Sequence, residues 1–190
     1  MEHRGTITIE TKRLRLRKFR PDDALPAFQN WESDERVTAF LRWSPCKTPE
    51  ETSRILDDWI ASYCKPDFYQ WAIVCKDGPD EPVGSISAVR IDERIGMVEI
   101  GYCIGVNWWN QGIMTEVLGA VIPFFFEQVK ANRICAQHDP NNPGSGKVMA
   151  KCGLRYEGTL RQADYNNRGI VDAAVYGILA EEYRLEKTSR

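Results

Sequence analysis

A chain of 190 residues with 25 Lys and Arg against 27 Asp and Glu has a formal net charge of −2, so no broad positive field draws it to a nucleic-acid backbone. At 43% hydrophobic and 27% charged residues it has the material for one globular core, which excludes disorder, and it is shorter than the ~250 residues at which cores split. The expectation is a single domain over 1–190, with its core from about 11 to 183 and a loose charged tail over 184–190.

In chain order, Leu14 and Leu16 alternate with Arg13, Arg15 and Arg17, a period-two strand pattern. Arg20-Pro21-Asp22-Asp23 then opens a helical stretch holding Leu25, Phe28 and Trp31. Thr48, Pro49 and Glu51 form a helix start, with Thr48 as N-cap and Glu51 three residues on, ahead of Ile55, Leu56, Trp59 and Ile60. Strands are expected over 69–75, 82–91 and 97–105, an antiparallel meander punctuated by turn residues at 76–80 and 92–96. A helix over 112–130, a strand over 133–137 and a helix over 143–152 follow. Two last strands, 156–165 and 171–180, meet at Asn166-Asn167-Arg168-Gly169. The order βααβββαβαββ implies an α+β fold, a mixed and mostly antiparallel sheet of six to seven strands flanked by about four helices.

The cysteines Cys46, Cys64, Cys75, Cys103, Cys135 and Cys152 show no close pairing, which fits a reducing cytoplasm. No CxxC or CxxH spacing occurs and the histidines are His3 and His138, so no metal is expected. Residues 1–10 are polar, and the longest apolar stretch, 117–126, is interrupted by Gly119 and Pro123, so neither export nor membrane insertion is expected.

The segment 97–116 runs from a strand through a loop into a helix at Gly112. Unpaired N–H groups at a helix start, reinforced by the macrodipole, make an anion site, and Gly112 lets a phosphate approach the backbone. A tight turn with Trp108 and Trp109 as core plugs is the competing reading of the same residues. Downstream, Gly144-Ser145-Gly146-Lys147 imitates the end of a phosphate-binding P-loop, but Asn141 and Val148 stand where that motif needs Gly and Ser or Thr. Nucleotide hydrolysis is therefore rejected, and no GxGxxG supports a dinucleotide fold.

The run Trp109-Asn110-Gln111-Gly112-Ile113-Met114-Thr115-Glu116 resembles the acetyl-CoA signature of the GCN5-related N-acetyltransferase (GNAT) family, in its RimJ/RimL-like ribosomal-protein branch. Asn110 departs from the branch's usual Gly, and Asn tolerates the left-handed conformation. Asp139-Pro140-Asn141-Asn142-Pro143-Gly144-Ser145, with Lys151 and Gly153 beyond it, resembles the family's second motif, and the similarity spans about 11–183.

The resemblance implies a GNAT-like sheet whose central strands, 99–106 and 133–137, splay apart to admit acetyl-CoA as cosubstrate. It assigns cofactor contacts to Cys103, Ile104, Gly105, Val106, Gln111, Gly112, Ile113, Met114, Thr115, Asn142, Ser145 and Lys151. A backbone N–H near 104–106 would polarise the thioester. Glu99 is the first candidate for general base, through water, and His138 the reserve. Many relatives place a Tyr acid where this chain has Met149, so Ser145 is the candidate acid or thiolate stabiliser. The implied partner is an amine, either a protein N-terminus or a small molecule, on a monomer or homodimer. A non-catalytic acyl-CoA sensor and a hairpin-mediated structural dimer are the alternatives.

Overall fold

A computed structural model describes residues 1–188. In chain order the elements are β1 (Ile9–Glu10), β2 (Leu14–Arg17), α1 (Ala24–Ala27), α2 (Glu35–Thr38), α3 (Pro49–Ser62), β3 (Gln70–Cys75), β4 (Pro82–Asp92), β5 (Met97–Ile104), α4 (Ile113–Pro123), β6 (Arg133–His138), α5 (Pro143–Lys151), β7 (Arg155–Asn166), β8 (Gly169–Leu179) and α6 (Ala180–Thr188). The strands form one sheet in the order β1-β2-β3-β4-β5-β6-β8-β7. Every pairing is antiparallel except β5 with β6. The fold class is the expected α+β, with eight strands rather than six or seven because Ile9 and Glu10 add a short edge strand.

The sheet is covered on both faces. On one, Val117, Leu118 and Val121 of α4 and Met149 of α5 pack on Leu14, Trp71, Ile86, Val98 and Ile134. On the other, Ala24 and Ala27 of α1, Trp31, and Leu56 of α3 pack around Ala72 and Cys103. Tyr69, Trp71, Phe124 and Phe125 meet mostly edge-on in the larger core, the geometry aromatic quadrupoles favour. Arg17 and Asp23, both buried, form a forked pair at 2.7 and 2.8 Å that ties β2 to the entry of α1.

Several boundaries depart from expectation for identifiable reasons. The helix expected over 112–130 keeps regular α geometry only to Pro123, then widens, with Val129 N–H donating to Phe124 O at 3.2 Å. Pro123 has no N–H and its ring disturbs the turn before it, so the chain relaxes to a wider pitch. Thr48 takes the N-cap position without a side-chain cap bond, and the Glu51 carboxylate instead accepts from the Lys47 N–H at 2.7 Å. The tail expected to be loose from 184 continues α6: Tyr183 and Lys187 both donate to Glu127 Oε1 at 2.6 Å, and Tyr183 stacks on Phe126. Among the described residues no helix is long and apolar enough to cross a membrane.

Candidate active site

β5 and β6 pair only over Met97↔Arg133, Val98↔Ile134 and Glu99↔Cys135. Beyond Glu99, β5 stays with β4 as far as Gly84↔Ile104, whereas β6 stays with β8 as far as His138↔Ala174. The two strands therefore part, and a cleft of ≈ 220 Å³ opens between them. Its walls come from both layers: Phe40, Trp43 and Trp59 from one face, Asn142, Ser145 and Met149 of α5 from the other.

The peptide groups of β5 are partitioned by its ladder with β4. Gly105 N–H donates to Val83 O at 2.9 Å, and antiparallel alternation then turns Cys103 toward β4 and Tyr102 and Ile104 toward the gap. Trp109 Nε1 takes the Ile104 carbonyl at 2.9 Å, which leaves the Ile104 N–H facing the opening. Of the expected backbone donors, Gly105 is thus already committed, and Val106 enters the tight turn Val106–Trp108. Cys103 contributes its side chain to the opposite core, where burial pushes the thiol up to about 12 and keeps it unreactive.

At the α4 start, Asn110 and Gly112 both adopt left-handed backbones, with φ 60 and 73. Glu116 N–H to Gly112 O at 3.1 Å is the first bond of the helix, so the N–H groups of Ile113, Met114 and Thr115 precede the ladder. A Cβ built on Gly112 would meet only Arg13 Nη2 at 3.8 Å, so the turn is open on that side. Arg13 braces it, donating to Gln111 O at 3.1 Å and to Glu116 at 2.6 Å. Ile113 and Met114 bury their side chains, so they can offer a ligand only backbone. The Gln111 side chain turns back to Asn107 O at 2.7 Å. Cys152 Sγ donates to Thr115 O at 3.3 Å, which lays the end of α5, with exposed Lys151, beside the first turn of α4.

Three candidate side chains, Glu99, Ser145 and His138, line the one cleft. Glu99 is 15% exposed, with Arg90 at 3.9 Å. Ser145 Oγ lies 3.0 Å from the hydroxyl of Tyr102, which also donates to the Ser145 carbonyl at 3.1 Å. Burial raises the Tyr102 phenol and keeps it protonated. His138 Nδ1 donates to Asp139 O at 2.8 Å, which leaves Nε2 as the ring's remaining polar atom. That Nε2 is buried without a partner against α5, where a Cβ on Gly146 would come within 2.5 Å of it. Asn142 occupies the N-cap position of α5 without a side-chain cap bond, and it lines the cleft. The P-loop imitation is helix: Gly144 to Lys147 lie within α5.

These features reproduce the splayed sheet and open helix start of one enzyme family, and the family model described as "Acetyltransferase (GNAT) domain" matches residues 13–155. The chain belongs to the GNAT acetyltransferase family. This GNAT enzyme is 29% identical over 176 residues to the uncharacterised N-acetyltransferase p20 of Bacillus licheniformis, covering 93% of this chain and 98% of that protein. It is 32% identical over 97 residues to the ribosomal-protein-serine acetyltransferase of Escherichia coli, covering 51% of this chain and 54% of that protein. Its fold matches RimL, a ribosomal L7/L12 alpha-N-protein acetyltransferase solved with coenzyme A, at TM-score 0.82 and 22% identity, covering 93% and 99% of the two chains.

Two residues of this acetyltransferase's cleft, and one that bonds to its wall from behind, went unassigned in the sequence. Tyr102 was visible only as a strand residue. Asp164 accepts from Arg42 Nε and Gln137 Nε2, each at 2.9 Å, joining segments more than 25 residues apart. Glu32, 1% exposed, accepts from the indoles of Trp31 at 2.7 Å and Trp43 at 3.1 Å.

Burial raises Glu32 above its ordinary value of 4.5, while the two indole bonds pull it down. Unfolded, the group ionises at the ordinary value; folded, it resists. Its contribution to stability is therefore complete below the unfolded value and lost as pH rises through the folded one. Glu32→Gln should remove that loss, so its Tm relative to the parent should climb as pH rises above about 4.5 in thermal denaturation. Parallel Tm profiles for the two proteins would show that Glu32 does not titrate in this way.

Proposed function

We propose that this acetyltransferase moves an acetyl group from acetyl-CoA to a primary amine, either a protein N-terminal α-amine or a small amine, by direct attack in a ternary complex. The observation that carries the reading is the parted β5–β6 gap, which offers the Ile104 N–H on one wall and the Glu99 carboxylate at its closed end. The relatives agree with it: one is a ribosomal-protein-serine acetyltransferase and another an alpha-N-protein acetyltransferase holding coenzyme A.

The pyrophosphate sits on the N–H groups of Ile113, Met114 and Thr115 at the open Gly112 turn, with Lys151 alongside. Pantetheine threads the gap past Asn142, and the Ile104 N–H polarises the thioester carbonyl as negative charge develops on its oxygen. Glu99 takes the ammonium proton through water, the neutral amine adds to the carbonyl carbon, the C–S bond breaks with its electron pair on sulfur, and the proton shed by the new amide nitrogen passes to that sulfur. The Tyr102–Ser145 hydroxyl pair supplies the hydrogen bond or proton that the thiolate needs, in the role sequence reasoning gave to Ser145 alone. His138 is a packing residue here, its free nitrogen directed at α5 rather than into the reaction.

Thermal shift with acetyl-CoA, ATP and NAD at equal concentration tests the cosubstrate, followed by thiol release with a panel of amines. A ligand at 100 times its Kd adds about 2.7 kcal/mol, so acetyl-CoA alone should raise Tm. No shift with acetyl-CoA, or binding with no thiol release for any amine, would overturn the proposal.

A further inference from the structure

The half of the cleft facing α1 and α3 is walled by Phe40, Trp43, Trp59, Val89, Tyr165 and Val171. Among the described residues, Trp43, Val89 and Tyr165 are large hydrophobics left 40%, 54% and 59% exposed, and all three face this opening. Single exposed apolar residues are ordinary on a protein surface; three converging on the mouth of a reaction cleft form a ligand wall. Charge there is mostly spent. Arg42 and Asp164 are paired at 2.9 Å, and Asp139 is taken up by the Asn141 and Asn166 side chains at 2.9 and 3.0 Å. Glu99, whose ion pair with Arg90 is a loose 3.9 Å, remains for an ammonium, and little else would hold a second charge.

Trp43 is gripped at both ends. Its indole N–H donates to Glu32 at 3.1 Å, and its carbonyl accepts from Asn167 Nδ2, at the tip of the β7–β8 hairpin, at 2.6 Å. Glu32 is desolvated and its side-chain partners are the two neutral indoles, an arrangement that costs free energy because neutral donors only partly replace lost water. Orienting a half-exposed ring over the cleft is the gain that arrangement provides.

Resting on the transferase reading above, we infer that the acceptor is an amine borne next to an apolar or aromatic group, which packs against Trp43, and that Glu32 and Asn167 are positioning residues for that indole. The class comprises peptides beginning with a bulky apolar residue and arylalkylamines. Polyamines and peptides beginning with acidic, basic or small polar residues lie outside it.

The test is thiol release from acetyl-CoA with peptide amides beginning Phe, Leu, Ser, Asp or Lys, and with phenethylamine and spermidine. The apolar acceptors should lead in kcat/KM by about 10-fold to 100-fold, the range a hydrophobic pocket supplies. Trp43→Ala should raise KM for the Phe peptide about 10-fold with a smaller change in kcat, the sign of lost uniform binding. Trp43→Phe should recover part of that loss. Glu32→Gln, which keeps an acceptor for one indole only, should raise KM for the Phe peptide and not for spermidine. An unchanged acetyl-CoA thermal shift in each variant verifies the fold. Acetylation that favours Ser, Asp or Lys peptides or spermidine, or a Trp43→Ala effect equal for every acceptor, would overturn the inference alone. Absence of turnover with every amine would overturn it together with the transferase reading.

Discussion

Gly112→Asp is expected to abolish measurable acetyl-CoA binding while leaving the apoprotein folded. The backbone at 112 is left-handed, φ 73, a conformation that Asp enters at smaller cost than most residues. The new Cβ would meet only the tip of Arg13, 3.8 Å away. The left-handed backbone strains any side chain by on the order of 1 kcal/mol, part of which a carboxylate at the positive end of the helix offsets, so Tm without ligand should fall by only a few degrees. With ligand the effect is far larger. The carboxylate would stand where the first N–H groups of α4 are proposed to meet the pyrophosphate, and juxtaposed like charges cost several kcal/mol. At about 1.4 kcal/mol per factor of ten, that is a loss of at least about 100-fold in affinity. Isothermal titration gives the affinity and thermal denaturation the fold. A variant that kept parental affinity would place the pyrophosphate elsewhere on the molecule.

The features legible in the sequence were those encoded locally. Gly112 marked the turn into the helix because a glycine there lets a phosphate approach the backbone, and Asn110 was expected to substitute for Gly in that loop, as its φ of 60 bears out. The meander and the closing hairpin followed from periodicity and turn residues, with ends displaced by one or two positions, whereas the crossover helix began one position late and kept α geometry only to Pro123. What stayed hidden was contact between distant segments. Tyr102 meets Ser145 across 43 positions, and Trp43 meets Asn167 across 124. Period-two alternation places Tyr102 on the α5 face of β5 and Glu99 on the other, yet no local pattern shows that α5 delivers a hydroxyl to that spot. The α6 tail was misjudged for the same reason, since its charges look solvated until Glu127 is known to lie beneath them. Committed backbone groups were equally invisible: Gly105 belongs to the signature segment, but its N–H is spent on Val83.

Glu99→Gln is expected to lower turnover by roughly 10-fold near neutral pH, about the factor by which neutral α-amine falls short of the total there, and by progressively less as pH rises. Glu99 lines the cleft at the point where β5 and β6 part, with Arg90 3.9 Å away as its ion-pair partner. An α-amine has a reference pKa of about 7.7 to 8.0, so near pH 7 most of the acceptor is ammonium and must lose its proton to react. In the proposed role Glu99 of the parent supplies a carboxylate for that proton, whereas Gln supplies none and must wait for amine that is already neutral. Above about pH 9 nearly all α-amine is neutral, and the two proteins should converge; for a lysine-like amine of pKa about 10.4 the deficit should persist further. The comparison is a pH profile of kcat/KM for both proteins on a peptide amide and on an alkylamine, with acetyl-CoA affinity measured alongside. A deficit independent of pH, with cofactor binding intact, would make Glu99 an orienting group for the acceptor, and the proton would then leave through water without a protein base.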